Sequence, residues 1–320
     1  MKYVNELTEG EKVESVFAVT DKQVRQTKAG KPFLSIRLSD KTGSVDAVVW
    51  DNAEPLARIF EKGDCVSVRA SAGAYNGMMQ LTVSDIKKLP DPDKMMDRFL
   101  PTTGMDVAAM LAELRSVAGG VIKPGVKALL LGFLDDPAFV GVFADSPAAK
   151  GMHHVFLGGL LQHTLKVVRL SRLIADEYEG DKLVSAMIDR DLLTAGAMLH
   201  DIGKIEELSR APGFDYTFKG RLIGHISLGL MALKDRLDKT EGVTEKDADL
   251  LMHMMISHHG ELEYGSPKRP KTMEALILHY ADNLDAKLQG LAEFADKDAT
   301  DGDFTSFHRL YERYFYKGGR

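Results

Sequence analysis

The sequence predicts an α+β protein of two unlike domains, a small five-stranded Greek-key β-barrel followed by an all-α helical bundle. Three observations carry this expectation. Up to about residue 90, apolar residues recur with a period of two between turn signals; beyond about residue 105 they recur with helical period; and the two regimes meet in a proline-rich polar stretch. The boundaries read this way are 1–90 for the barrel, 91–104 for the linker and 105–320 for the bundle.

The barrel strands are VESVFAVT, KPFLSIRLSD, SVDAVVWD, CVSVRASAGAY and MMQLTVSDI, with a helical insert near AEPLARIF after the third. Ile36 and Leu38 alternate with Arg37 and Ser39, and Val66 and Val68 with Ser67 and Arg69, as half-buried strands do. Ala29-Gly30, Thr42-Gly43 and Asn76-Gly77 supply turns in which a positive φ is easily met. Five such strands with a helix between the third and fourth make a small Greek-key barrel. The stretch LPDPDKMMDRFLPTTG, 89–104, holds three prolines and ends the strand pattern. Helical segments follow: MDVAAMLAELRSV, KALLLGFL, GGLLQHTLKVVRLSRLIADEY, DLLTAGAMLHDIG, RLIGHISLGLMALKDRL, DADLLMHMMISHHG and TMEALILHYADNLDAKLQGLAEFA. Met-rich runs such as LLMHMMI are read as helix-packing core.

Composition narrows the function. The chain has 320 residues, 44% hydrophobic and 28% charged, enough apolar material for two packed domains. The start, MKYVNELTEGEKVES, lacks the basic-then-apolar pattern of a signal peptide, and no apolar run approaches the roughly 18 residues of a membrane span. The expectation is a cytoplasmic protein with no membrane partner. A single cysteine, Cys65, read as a core thiol in a strand, excludes an internal disulfide framework and a multi-cysteine zinc site, so any metal must be held by imidazole and carboxylate. The net charge of -6 argues against a whole-surface polyanion binder and leaves room for a local basic patch.

Ten histidines are the most informative feature. His163 sits in GGLLQHTLKVV, His200-Asp201 in AMLHDIGK, His225 in LIGHISLG, His258-His259 in MISHHGEL and Asp282 in LHYADNLDA, each within or at the end of an apolar helix. One histidine on such a face is ordinarily a hydrogen-bonded core residue. Several on separate helices point instead to shared divalent ions, which compensate the desolvation of imidazole and carboxylate together. A carboxylate such as Asp201 can bridge two ions about 3.5–4 Å apart, and a water held beside them is acidified towards hydroxide near neutral pH. The ions can also neutralise charge building on a phosphodiester during in-line attack. Lys204 suits a phosphate contact or a helix cap equally, and Glu206 and Glu207 read as helix surface or as partners of ligands. His253 and His279 are assigned to structure. The loop SPKRPKT, with Lys268, Arg269 and Lys271, reads either as a solvated loop or as a basic flank for a polyanion.

These residues resemble the HD superfamily of metal-dependent phosphohydrolases. The resemblance implies His163, His200, Asp201 and Asp282 as metal ligands, and its two-metal members add positions matched by His225, His258 and His259. Asp201 and Lys204 are the expected catalytic residues. The N-terminal segment TKAGKPFLSIRLSDKTGSVDAVVWD resembles nucleic-acid-binding OB-folds. Between Lys22 and Leu38 lie five basic residues, Lys22, Arg25, Lys28, Lys31 and Arg37, and no acidic one, whereas 1–90 holds 13 basic against 12 acidic. Such folds track phosphates with cations and stack bases on aromatics, for which Phe33, Trp50 and Tyr75 are candidates.

An OB-fold joined to an HD domain resembles the YhaM-type bacterial 3′→5′ exoribonucleases over nearly the whole chain, including HHVFLGGLLQHT and HDIGKIEEL. The resemblance implies release of 5′-mononucleotides from single-stranded RNA, and also from single-stranded DNA, with manganese favoured. Ligand chemistry alone admits manganese, iron, cobalt, nickel or zinc. His153 and His154 match by position. The tail FHRLYERYFYKGGR is open to RNA, another subunit or its own domain, and a homo-oligomer is compatible with the sequence. Two rival readings are an HD phosphohydrolase of small nucleotides with a regulatory OB-fold, and a non-catalytic RNA-binding protein. The Gly-Tyr-Pro motif of cyclic-dinucleotide phosphodiesterases is absent, since the chain reads HHGELEYGSPKRPKT there.

Overall fold

The computed structural model describes residues 1–91, 95–150, 154–211 and 214–318. His153, residues 92–94 of the expected linker and the last two residues of the tail lie outside them. The chain divides into two compact units, Met1–Thr102 with Arg210–Asp215, and Thr103–Ser209 with Tyr216–Arg320.

The first unit is a closed barrel of β1 (Lys12–Gln26), β2 (Pro32–Asp40), β3 (Gly43–Val49), β4 (Cys65–Tyr75) and β5 (Met78–Lys88), in the order β1-β2-β3-β5-β4. It agrees with the expected five-stranded OB-fold, including the short helix α1 (Ala53–Ala57) between β3 and β4. Closure depends on the length of β1: Lys12–Ala18 pairs with β4, and Ala18–Gln26 pairs with β2 past a bulge between Val19 and Asp21. Parallel pairing of β3 with β5 joins the other side. Alternation decides which side chains fill the interior. Leu34, Ile36 and Leu38, Val45, Ala47 and Val49, and Val66, Val68, Ala70 and Ala72 point inwards at every second position. Asp40 begins the β2–β3 turn by accepting the Thr42 N–H and hydroxyl at 2.8 and 2.6 Å. Cys65 is buried in this unit.

Within the stretch read as linker, the structure forms the helical turn α2 (Met96–Phe99). Arg98 is buried, donates to Ser15 Oγ at 2.9 Å and stacks on the Tyr3 ring, 4.2 Å from its centroid. These contacts extend the first unit to Thr102.

The second unit is helical: α3 (Val107–Gly119), α4 (Pro124–Leu134), α5 (Pro137–Asp145), α6 (Gly159–Glu177), α7 (Lys182–Ser185), α8 (Arg190–Leu199), α9 (Lys204–Glu207), α10 (Phe218–Ile223), α11 (His225–Leu237), α12 (Glu245–Ser257) and α13 (Met273–Lys297). Asp106, Asp189, Thr244 and Thr272 cap their helices through side-chain oxygens. Helices α6, α8, α12 and α13 meet in one core that includes Leu161, Leu165, Leu192, Met198, Met254, Met255 and Leu278, which accounts for the methionine-rich runs.

The segment RLIGHISLG, read as one helix, is two. Gly224, at φ 76° and ψ 155°, breaks it, so that His225 begins α11 rather than lying within a longer helix. At the C-terminus, the His308 ring packs 4.4 Å from that of Phe294 on α13, and Lys317 pairs with Asp298 at 2.8 Å, so the described tail lies on its own unit. Among the described residues, no helix is long and apolar enough to cross a membrane.

Candidate metal centre

Helix geometry first sets where the histidines can point. His163 lies inside α6, His200 and His258 occupy the positions closing α8 and α12, His225 opens α11, and Asp282 lies on α13. Each imidazole is then oriented through its Nδ1. His200 donates from Nδ1 to the Ala197 carbonyl at 2.9 Å, His258 to Met255 at 2.7 Å and His259 to Tyr264 at 2.9 Å. His163 donates to Asp285 Oδ2 at 2.8 Å and His225 to Glu207 Oε1 at 3.1 Å. Carbonyl and carboxylate oxygens only accept, so all five rings carry hydrogen on Nδ1 and turn Nε2 inwards, as metal-binding imidazoles do.

The inward atoms form two groups. His163, His200 and Asp282 offer three donor atoms within 4.8 Å of one another, and His225, His258 and His259 offer three more. Asp201 lies between the groups. Its Oδ2 is 3.4 Å from His163 Nε2 and 3.3 Å from His200 Nε2; its Oδ1 is 3.6 Å from the Nε2 atoms of both His225 and His258. All seven expected ligands are thereby brought together.

Whether these residues fit divalent ions can be tested on the buried atoms themselves. Asp201 Oδ1 and His258 Nε2 are fully buried with no hydrogen-bond partner, an arrangement that is costly without a further cation. Burial, reinforced by His259, pushes the His258 pKa well below the imidazole norm, which keeps it a neutral donor. Burial also works against protonation of His163, yet the carboxylates of Asp201, Asp282 and Asp285 overcome it and raise its pKa well above the usual value. A positive charge is favoured at that Nε2, whether proton or metal. Burial would likewise raise Asp201, but the charges of Lys204 and His200 hold it well below the carboxylate range. The donor set fits one ion in each group with Asp201 shared between them.

Some participants are absent from the sequence reading. Asp285, one turn beyond Asp282 on α13, accepts from both His163 and His154, the latter at 2.9 Å from His154 Nε2. The i, i+3 spacing after Asp282 was the available signal. Glu207, read as surface or partner, is buried and receives both the His225 N–H at 2.9 Å and its Nδ1. Glu206 is exposed and pairs with Lys219. His279 donates to the His258 carbonyl at 2.8 Å, and His253 Nε2 accepts the Lys271 N–H at 2.9 Å. Lys204 follows the end of α8 and opens α9, and its Nζ lies 2.6 Å from Asp201 Oδ2.

The expected strand-holding residues divide. Arg25 sits directly across from Phe33, and Phe33 packs on Trp50 with centroids 4.9 Å apart. Arg37 lies on the same outward side of β2, and Lys28 and Lys31 belong to the β1–β2 turn region. Lys31 pairs with exposed Asp51 at 2.8 Å, a surface contact of little energetic weight. Tyr75, 63% exposed, stands beside the Asn76-Gly77 turn of the β4–β5 hairpin. Lys22 is not placed with them: its ammonium donates to the Ala57 and Phe60 carbonyls at 2.9 and 2.6 Å and pairs with Glu61, so its charge is spent closing α1. Lys268, Arg269 and Lys271 are exposed, with Arg269 bound to Glu261 at 2.8 Å.

An OB barrel followed by helices that converge five histidines and two aspartates defines the class, a metal-dependent HD phosphohydrolase carrying a nucleic-acid-binding module. The HD domain family matches residues 160–287, and the OB-fold nucleic acid binding domain family matches residues 18–89. The chain belongs to the YhaM 3′-5′ exoribonuclease family. It is 34% identical over 290 residues to the 3′-5′ exoribonuclease YhaM of Geobacillus sp. (strain WCH70), covering 90% of this chain and 86% of that one. The YhaM of Bacillus subtilis (strain 168) is 32% identical over 310 residues, covering 96% and 95%.

Proposed function

We propose that this chain shortens single-stranded RNA from its 3′ end, releasing 5′-mononucleotides, and accepts single-stranded DNA by the same route. The observation that carries the proposal is the position of buried Asp201, with one oxygen turned to each of two histidine groups. His163, His200 and Asp282 would hold one divalent ion, His225, His258 and His259 the other, and Asp201 both. When bound, such a pair supplies an acidified water and charge neutralisation on the phosphodiester. Manganese is the proposed ion, following the family resemblance. The chain's own residues do the remainder. Lys204, kept cationic by Asp201 against the effect of burial, presents positive charge to a non-bridging phosphate oxygen. Arg25, Lys28, Lys31 and Arg37 contact strand phosphates, while Phe33, Trp50 and Tyr75 offer stacking surfaces. Such a substrate agrees with a cytoplasmic location.

End-labelled single-stranded RNA incubated with the purified protein and manganese tests this reading. A ladder receding from the 3′ end, with mononucleotide products and no turnover by Asp201→Asn, is expected. Full activity in chelator, or in Asp201→Asn, would sink it.

A further inference from the structure

A cleft of ≈ 350 Å³ opens on the metal centre and is lined in part by Lys204, His259 and Asp282. Its remaining wall includes two residues whose side chains orient no metal ligand, Tyr264 and Asn283. Tyr264 ends the short 3-10 turn Leu262–Tyr264; its backbone carbonyl orients His259, while the residue is 60% exposed. That hydrogen bond occupies the main chain only, and the ring is available to a ligand. Asn283 directly follows Asp282 on α13, is half-buried, and its side-chain amide takes no protein hydrogen bond among the described residues. An amide offers donors and an acceptor together, which matches a sugar hydroxyl that is itself both.

We propose that this cleft is a subsite for the terminal nucleoside, in which Tyr264 stacks the base and Asn283 hydrogen-bonds the ribose hydroxyls. The inference rests on the nuclease reading and deepens it. Size supports it: the volume lies at the low end of the roughly 300–1,000 Å³ usual for small-ligand sites, room for one nucleoside and not for a length of strand. Chemistry supports it also. A stacking face, a neutral hydrogen-bonding group and cationic Lys204 beside two candidate metal positions correspond to base, sugar and phosphate in turn. Reading the sugar hydroxyl with a neutral amide would give this cleft a preference for ribose over deoxyribose ends.

Calorimetric binding to the manganese-loaded full-length protein tests the assignment, with AMP, dAMP and ribose 5-phosphate as probes. Tyr264→Ala should lower the ratio of AMP to ribose 5-phosphate affinity by roughly tenfold, the scale of a single base stack, and Tyr264→Phe should restore it. Asn283→Ala should shrink the AMP-to-dAMP affinity ratio severalfold towards one. Ratios are compared because a general collapse of the site weakens all three probes alike. Unchanged ratios in both alanine variants overturn the subsite, even if the wild type degrades RNA. A wild type that binds AMP with these ratios but leaves single-stranded RNA intact supports the subsite while removing the nuclease reading.

Discussion

At the scale of single residues, the centre depends on groups that hold ligands as much as on the ligands. His163 donates to Asp285, and His154 donates to the same oxygen. A carboxylate behind an imidazole fixes its tautomer and makes it a more basic ligand, and loss of such a partner commonly costs about 10–100-fold in metal affinity. Asp285→Asn is therefore expected to weaken manganese binding by about that factor, measured by equilibrium dialysis, with Asp285→Glu recovering part of it. Unaltered affinity in Asp285→Asn would show that His163 needs no anionic support. Lys22 illustrates the opposite case. In sequence it is one of five cations in a row, but three acceptors around its ammonium make it a structural strut.

Elements bring these residues close because small residues allow backbones to meet. Gly203, in the turn after the His-Asp pair, lies where an added Cβ would be 2.0 Å from the His225 carbonyl and 2.5 Å from the Gly229 nitrogen. Both neighbours are backbone of α11, which cannot yield as a flexible side chain would. Gly203→Ala should push α11 and His225 away from Asp201, with a stability loss of roughly 1–3 kcal/mol from overpacking. Thermal melting and manganese titration together check this: both should fall. A variant with wild-type melting and full metal content would mean that the turn and α11 are free to separate. The break at Gly224 belongs to the same scale. It converts a helix interior position into a helix start, which leaves the His225 N–H for Glu207.

At the scale of the whole molecule, the proposed function assigns strand capture and hydrolysis to different units. Arg25 on β1, Phe33 and Arg37 on β2, and Lys28 and Lys31 in their turn region belong to the barrel, while the metal ligands are confined to the helices and the residues that close them. Neutralising Arg25, Lys28, Lys31 and Arg37 together should weaken oligonucleotide binding and flatten its salt dependence, by roughly 0.7 in the slope of log K against log salt for each phosphate that is no longer neutralised. Fluorescence anisotropy across a salt series measures both. An identical slope in wild type and variant would remove the barrel face as the strand-holding surface. Adding Lys22→Ala should instead lower barrel stability, measured by thermal melting, since its carbonyl partners at α1 are left without their donor.

Local pattern by itself determined a good deal. Two-residue alternation in 36–39 and 66–69 defined barrel strands, because alternate side chains of a strand face opposite sides. His163, His200, Asp201, His225, His258, His259 and Asp282 were legible as a set because charged and imidazole groups in apolar helices demand compensation. The rest followed from long-range packing: that Asp201 turns one oxygen to each histidine group, that Asp285 and Glu207 support ligands, that half-buried Lys22 is tied to the carbonyls at the end of α1, and that Arg98 ties α2 to the barrel. The reason is separation along the chain. His163 and Asp285 are 122 residues apart and Arg98 and Ser15 83, and no periodicity within one segment specifies which distant side chain will satisfy a buried donor.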